Sequence, residues 1–230
     1  MDHNLEHPLI KAYHGSGTQI ERFRYEFTNA GNDQLGSGFY FTSEKSQAAQ
    51  YALRRTKPNT QQLDRVDAPS IMHVQLSINN PMTPDTKAMC LSRATVRKIL
   101  ERAPNLDETL ENFGDMAFEG KEHVLGLAVS AYTAKPNSKS TLLASLFRLA
   151  NDFYPKNIAQ FNQAIFDVLG YDGVVQKFKD GTTNYVAFFP GQIEITAVEA
   201  VIDGQVSEDH PVEGTDAAGE PSTPTDSNSA

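Results

Sequence analysis

The 230-residue chain has a single cysteine, Cys90, and no long hydrophobic run. One thiol excludes an internal disulfide and a zinc site built from cysteines. The longest apolar segments, such as 142–149, are interrupted by polar residues well before the roughly 20 residues that a helix needs to span a bilayer. The first seven residues lack the basic start and apolar core of a secretory signal. We therefore expect a cytoplasmic protein without a membrane partner.

The formal net charge of −9 is concentrated at the C-terminal end of the chain. Residues 204–230 contain six acidic residues and no Lys or Arg, so the remaining residues have a net charge near −3. A body this close to neutral lacks the electrostatic footprint that binding to duplex nucleic acid requires. Duplex nucleic acid is therefore not an expected partner.

Composition divides the chain into three regions. Residues 204–230 are dominated by Gly, Pro, Ser, Thr, Asp and Glu, so ordering them would bury almost no apolar surface, and we predict a disordered acidic tail. Residues 1–8 are predicted to be a flexible N-terminus. Residues 9–203 have enough apolar content for one domain.

Hydrophobic periodicity within 9–203 changes from strand to helix and back. Alternation predicts strands at 10–13, 39–42 and 72–78, with a helix from a Ser43 cap to about residue 55. Residues of about 86–169 have helical spacing and are punctuated by prolines, which predicts four or five helices. Strands return at 173–176, 185–189 and 193–202, the first two joined by an Asp-Gly turn. This order predicts an α+β fold whose helices form an insertion between sheet elements.

Four short motifs contain the residue types of a nucleotide site. They are His14-Gly15, Gly38-Phe39-Tyr40-Phe41, Tyr51 eleven residues after Tyr40, and Asn184-Tyr185-Val186. Alternation turns Tyr40 away from both neighbouring phenylalanines, towards a cleft or solvent. The glycines do not form the Gly-x-Gly-x-x-Gly fingerprint, and no strand–helix unit with a ribose-binding acid follows them, so a Rossmann fold is excluded.

The order of these motifs resembles the ADP-ribosyltransferase superfamily of the His-Tyr-Glu type, which includes the poly(ADP-ribose) polymerases and diphtheria toxin. The segments 169–175 and 184–193 also look like those of the phage and bacterial ADP-ribosyltransferase domains in polyvalent proteins. The similarity covers about residues 10–200, with the helical insertion only weakly matched. It implies split antiparallel β-sheets with a helical insertion at about 86–169.

The resemblance also implies a reaction, the transfer of ADP-ribose from NAD as co-substrate. His14 would hydrogen-bond the adenosine ribose hydroxyls, and the backbone of Gly15 would reach the nicotinamide carboxamide. Tyr40 and Tyr51 would sandwich the cationic ring between their faces. The catalytic set implied is His14, Tyr40 and Asn184. Further candidates, for binding the diphosphate, are Ser16, Arg22 and Arg24.

The chain departs from the family pattern at Asn184, where the polymerases have a catalytic glutamate. An amide can bond the nicotinamide-ribose hydroxyls, but it supplies no negative charge and cannot act as a base. Activity is therefore expected to be slow, limited to one ADP-ribose unit, or assisted by the acceptor. Glu194 is an alternative carboxylate, about 30 Å along an extended chain from Asn184, so at most one of the two can face the ribose. We favour Asn184.

Three functions remain open from the sequence. The first is an NAD-dependent mono-ADP-ribosyltransferase, a phage or bacterial effector that modifies a host macromolecule, with a host protein as the expected acceptor. The second is an NAD glycohydrolase, with water as the acceptor. The third is a catalytically degenerate NAD-binding or protein-interaction module, in which Asn184 marks lost activity. No metal is expected, because His3 and His7, the one suggestive pair, lie in the terminus predicted to be loose.

Overall fold

The computed structural model describes residues 8–27, 35–53, 68–135, 140–202 and 205–206. Within these ranges the chain forms one mixed sheet and seven α-helices, which confirms the α+β class. The strands are β1 (Ile10–Ser16), β2 (Phe39–Thr42), β3 (Ser70–Leu76), β4 (Pro81–Met82), β5 (Gly173–Lys177), β6 (Thr183–Ala187), β7 (Ile193–Ile202) and β8 (Gln205–Val206). The helices are α1 (Lys45–Leu53), α2 (Arg93–Leu100), α3 (Leu106–Leu110), α4 (Met116–Glu119), α5 (Lys121–Tyr132), α6 (Leu142–Phe153) and α7 (Ile158–Leu169).

The sheet has the strand order β4-β5-β6-β2-β1-β3-β7-β8 and is divided by a seam between β1 and β2. β1 pairs with β3 along all seven of its residues, whereas it pairs with β2 only at Tyr13 and Thr42. Every pairing is antiparallel except that of β4 with β5, which is parallel. The seam produces two half-sheets, one of β4, β5, β6 and β2 and the other of β1, β3, β7 and β8.

Three apolar clusters pack against the two half-sheets. The helices of the insertion cover the outer face of the β2 half, where Val174 and Val186 join their core. Helix α1 covers the outer face of the β1 half through Ala48, Ala49 and Ala52. The third cluster contains inner-face residues of both halves, including Phe39, Phe41, Met72, Val74 and Leu76. Burial of these faces fixes the register of each strand, because a one-residue slip would expose its apolar set.

Six of the seven described helices lie between β4 and β5, more than the four or five that the periodicity predicts. The excess arises because α3 and α4 are single short turns of five and four residues, too short to show a helical period. Several helices begin at a side-chain cap: Ser92 accepts from the Thr95 amide, Asp115 from Ala117 and Phe118, and Thr141 from Ala144. Within the described residues, no helix is long and apolar enough to cross a membrane.

Three residues at the junction of α7 and β5 have a clear structural role. Gly170 ends α7 in the left-handed conformation, with φ of 78°. The buried Asp172 carboxylate accepts from the backbone N–H groups of Asn79 at 2.7 Å and Asn80 at 2.8 Å. A Cβ at Gly173 would lie 2.6 Å from the carbonyl oxygen of Val186. This segment therefore fixes β5 in the sheet.

The predicted flexible ends lie mostly outside the described residues. Residues 1–7, with His3 and His7, are not described, and neither are 207–230. Gln205–Val206 falls inside the predicted tail, yet it forms β8 by pairing with residues 201 and 202 of β7. Two residues of the predicted tail range therefore extend the sheet.

Candidate functional site

His14 lies where β1 separates from β2 at the seam. Its Nδ1 is 2.7 Å from the backbone oxygen of Tyr40, and because a carbonyl oxygen only accepts, Nδ1 holds the proton. The ring packs edge-on against Phe23 and tilted against Phe41, at centroid distances of 5.1 and 5.7 Å. Burial lowers the pKa of His14 below 6.5, so the neutral ring is favoured. Neutral His14 with hydrogen on Nδ1 has a lone pair on Nε2, which accepts from a hydroxyl.

Asn184 lies on β6 directly opposite Thr42 of β2, and alternation places both on the outer face with Tyr40. The Oδ1 atom of Asn184 is buried and has no hydrogen-bond partner. Thr42 donates its hydroxyl to Oε1 of Gln47 on α1 and accepts from the Glu44 amide at 3.2 Å. A buried acceptor without a donor is rare in folded proteins, and a water or a ligand usually supplies the donor. Oδ1 of Asn162 and Oε1 of Glu199 share this state among the described residues. Asn184 is therefore a candidate for a ligand-binding amide, and its place on the face of Tyr40 distinguishes it from the other two.

The two tyrosines of the predicted sandwich lie on neighbouring elements with different surroundings. Tyr40 points away from Phe39 and Phe41, as alternation predicts, but it faces the core of the helical insertion rather than a cleft or solvent. Its ring packs against the core of the helical insertion, and its hydroxyl donates to Gly36 O at 2.5 Å and accepts from the Leu35 amide at 3.2 Å. Tyr51 lies on the flank of α1 and is 48% exposed. Tyr40 is thus held by the segment before β2, whereas the position of Tyr51 depends on α1.

Gly15 packs directly against α1. A Cβ on Gly15 would be 1.8 Å from the carbonyl oxygen of Ala48 and 2.9 Å from the Ala52 nitrogen. The structure therefore adds a packing reason for this glycine to the ligand contact that the family resemblance implies. Among the diphosphate candidates, Ser16 bonds locally to the Thr18 amide at 3.2 Å. Arg22 and Arg24 are exposed and form no ion pair with a described residue.

Glu194 is exposed on β7 and pairs with Gln75 of β3. Four strand steps separate β7 from β6 in the sheet order, which at about 4.8 Å each is about 19 Å. The structure thus places Glu194 in the other half-sheet from Asn184, so the two side chains do not share a site.

The most buried carboxylate on the α1 side of the sheet was missed by sequence reasoning. Glu199 of β7 is 5% exposed, and its Oε2 lies 2.7 Å from Lys45 Nζ and 3.1 Å from His73 Nε2. The pairing of β3 with β7 shifts register between His73 and Val74, where Thr196 is the extra residue. This bulge reverses the facing of β7, so the alternation of Ile193 and Ile195 does not extend to Glu199. The signal available in the sequence was an acid, Glu199, within the apolar run of residues 197–202.

A concave region lies where the segments after β3 and before β7 meet the junction of α7 and β5. It is an open cleft of about 340 Å³ lined by residues such as Ser77, Phe166, Asp172 and Gln192. Its polar side chains are already used by the fold: Asp172 accepts two backbone amides, and the Gln192 amide bonds to Ser77 O, Asp172 O and Phe189 N. At the seam, the His14 ring lies on the inner face against Phe41, whereas Asn184 lies on the outer face, so the two acceptors flank the seam from opposite faces. Neither acceptor is used by a described hydrogen bond of the fold, which makes the seam the better candidate.

Comparison with known proteins identifies the family. A model of the family described as ADP-ribosyltransferase in polyvalent proteins matches residues 6–199. The chain belongs to this family, which confirms the resemblance inferred from its motifs and supports a function of the ADP-ribosyltransferase type. The match includes the seam, the helical insertion and both half-sheets except for β8 and the last residues of β7.

Other comparisons add little. No curated protein matches the chain. A solved structure titled "Crystal structure of an anti-CRISPR protein" is 17% identical, with 84% of this chain and 96% of that chain covered. Its TM-score is 0.27, which is too low to indicate a shared fold.

Proposed function

We propose that the protein transfers a single ADP-ribose unit from NAD to a host macromolecule, namely a protein, as a phage or bacterial effector in the host cytoplasm. The observation that supports this best is the buried, unpartnered Oδ1 of Asn184, which lies on the same face as Tyr40. Family membership supplies the reaction class.

The residues at the seam fit the hydroxyl groups of NAD. The lone pair of His14 Nε2 and Oδ1 of Asn184 are both acceptors, and ribose hydroxyls are donors. The Nδ1 bond to Tyr40 O fixes the His14 ring, so its acceptor atom has one orientation. His14 would bind the adenosine ribose and Asn184 the nicotinamide ribose, with Tyr40 and Tyr51 beside the nicotinamide ring. Arg22 and Arg24 are exposed and available to the diphosphate.

The proposed transfer step proceeds without a carboxylate at position 184. In the transfer, the bond between ribose carbon and nicotinamide nitrogen breaks, and its electron pair leaves with nicotinamide. A new bond forms from that carbon to the acceptor nucleophile, which loses its proton to solvent, since an amide cannot take it. The amide dipole of Asn184 stabilises the developing positive charge less than a carboxylate would. Turnover is therefore slow and ends after one unit.

The test begins with binding and continues with turnover. Calorimetry with NAD measures occupancy, and NAD labelled in its adenylate phosphate, incubated with bacterial lysate, reveals labelled macromolecules on a gel. Labelled product that is lost in Asn184→Leu supports transfer. Free ADP-ribose without labelled macromolecules indicates glycohydrolysis instead. No heat of NAD binding by the wild type would refute both.

The absence of a carboxylate at position 184 favours one alternative from another class, a module that binds NAD without chemistry. This alternative predicts NAD binding by the wild type with neither transfer nor hydrolysis. Introducing the carboxylate with Asn184→Glu then creates turnover, whereas an enzyme adapted to asparagine is active before the change.

A further inference from the structure

Glu199 is a buried acid whose environment is only partly explained by the fold. Its side chain is 3% exposed, and Oε2 alone receives both Lys45 and His73, while Oε1 is buried without a partner. Burying a carboxylate is costly unless it is paired. The ion pair with Lys45, at 2.7 Å, is therefore the contact that makes this position tolerable.

Lys45 is the first residue of α1, where a positive charge is unfavourable. The N-terminus of a helix is the positive end of its dipole, and no acidic residue lies in the first turn of α1. The helix itself thus gives no reason for a lysine here. Glu199 gives one, because the pair ties the first turn of α1 to β7, two strands away from β1.

The apolar packing of α1 is made by small side chains, and the hydrogen bond of Gln47 with Thr42 ties the helix to β2 rather than to β7. The buried face of the helix consists of Ala48, Ala49 and Ala52, small side chains without shape to interlock with the sheet. The same face touches Gly15, where even a methyl group would overlap the Ala48 carbonyl. Gly15, Ile71 and Glu199 are register partners in a row across β1, β3 and β7. The ion pair therefore lies on the same row as the closest approach of α1 to the sheet.

We propose that Glu199, through Lys45, sets the position of α1 over the seam and so the gap in which nicotinamide binds. Glu199 is a positioning residue: it acts on Tyr51, which α1 carries, relative to Tyr40 on β2. This inference rests on the proposed function, because the gap matters only if the seam binds NAD.

The experiment uses the full-length chain and three variants: Lys45→Met, Glu199→Gln and the double variant. Lys45→Met leaves a buried charge without its main partner, whereas Glu199→Gln leaves a lysine that is 29% exposed and can turn to solvent. We expect Kd for NAD to rise between about twofold and tenfold in Lys45→Met, the size of one aromatic stacking contact. The rise is smaller in Glu199→Gln. The double variant, which buries no charge, returns to within about twofold of wild type.

Hydrogen exchange of the α1 amides provides the readout that does not involve NAD. Protection of 46–53 falls in Lys45→Met and recovers in the double variant. The matched control is Lys121→Met, which breaks an ion pair with Asp107 between side chains that are 51% and 64% exposed. It leaves both NAD affinity and α1 protection unchanged.

The outcomes separate this proposal from the proposed function. A wild type that binds no NAD overturns both. If all four proteins bind NAD equally, or if the double variant is worse than either single one, NAD binding stands and the positioning role of Glu199 is refuted. Loss of affinity in every variant with unchanged α1 protection also refutes it, since α1 would then not have moved.

Discussion

The imidazole of His14 on β1 donates a hydrogen bond to the backbone oxygen of Tyr40 on β2, 2.7 Å away, at the place where the two strands have stopped pairing. This bond joins the two half-sheets beside Tyr13 and Thr42, their one paired position. It also fixes the tautomer of His14, and so leaves Nε2 as the nitrogen that can accept a hydrogen bond. A single side chain thereby contributes both to the fold and to the candidate site.

NAD affinity is expected to fall in acid. Burial lowers the pKa of His14 below 6.5, so the folded protein keeps the neutral, accepting ring from pH 8 to 6.5. Below the lowered pKa the ring gains a proton on Nε2 and can no longer accept. Calorimetry at a series of pH values should show a constant Kd from neutral pH down to the lowered pKa of His14 and weaker binding below that pKa. A Kd that tightens on acidification would contradict the assignment.

The same burial predicts that acid destabilises the fold. Between pH 6.5 and the lowered pKa, the unfolded chain takes up a proton at His14 that the folded chain does not, so the free energy of unfolding falls as pH falls. Urea unfolding of His14→Phe should show a weaker dependence on pH in this window than the wild type. His123→Ala, at an exposed position on α5, is the matched control and keeps the wild-type slope.

Removing the amide of Asn184 should weaken NAD binding without weakening the fold. Its Oδ1 has no partner in the protein, so Asn184→Leu sacrifices no hydrogen bond of that oxygen and removes a buried polar atom. We expect a Kd for NAD raised about tenfold, with thermal stability equal to the wild type or higher. Melting temperature and calorimetry on the same sample test this, and a large loss of stability would show that the amide serves the fold.

Gly15→Ala should strongly destabilise the protein. The added methyl group would lie 1.8 Å from the Ala48 carbonyl, and since both groups belong to backbone elements, α1 has to move away from β1. We expect a loss of about 3 kcal/mol or more in the free energy of unfolding. Gly126→Ala in α5 is the control: a Cβ there meets nothing within 4 Å, and replacing a helical glycine should stabilise by about 0.5–1 kcal/mol. Urea denaturation of both variants measures the contrast.

Asp172→Ala is expected to weaken the junction between α7 and β5. The carboxylate is buried and accepts two backbone amides, of Asn79 and Asn80, which would lose their partner. At about 1–3 kcal/mol for each unsatisfied group, the variant should lose at least about 2 kcal/mol. Asp180→Ala, which removes an exposed turn carboxylate bonded to the Thr182 amide, should cost less than about 1 kcal/mol. Equal effects on the melting temperature would contradict this account.

Much of the sheet was predictable because its strands alternate and end at turn residues. The bounds of β2 and β7 were predicted without error, and the Asp-Gly turn between β5 and β6 places Gly181 at φ of 93°. The four residues of β2 are short, but phenylalanines on either side of Tyr40 define the buried face. β4 was not predicted, because its two residues begin with Pro81 and form only at the edge of an existing sheet.

The start of α1 was predicted less well, since the hydroxyl of Ser43 has another partner. It accepts from the Thr183 amide at 2.9 Å, a residue 140 positions away, and α1 begins at Lys45. A cap motif read from local sequence cannot predict a hydrogen bond to a strand so far along the chain. The same limit applied to Glu199, because its partners come from α1 and β3 and its facing depends on a bulge that only the pairing with β3 reveals.

Some features of the candidate site follow from local sequence, and others depend on residues that are distant in the chain. The facing of Tyr40 follows from local alternation and was predictable. Three other features were not predictable. The bond between His14 and Tyr40 and the contact of Gly15 with α1 join segments that are 26 or more residues apart in the chain. The unpartnered oxygen of Asn184 depends on the absence of a nearby hydrogen-bond donor in the folded protein. The order of the motifs was enough to predict which residues belong to the candidate site. Their geometry depends on how the two half-sheets assemble.

The narrow join between β1 and β2 also has a mechanical consequence. Each half is held together by ladders of several residue pairs, whereas strand pairing between the halves is reduced to one backbone pair, backed by the imidazole bond of His14. Tension applied across β1 and β2 would therefore load these two contacts before either ladder, while the inner-face cluster and the contacts of Asp172 hold the halves from other sides. The narrowest hydrogen-bonded join of the sheet thus lies beside the candidate site.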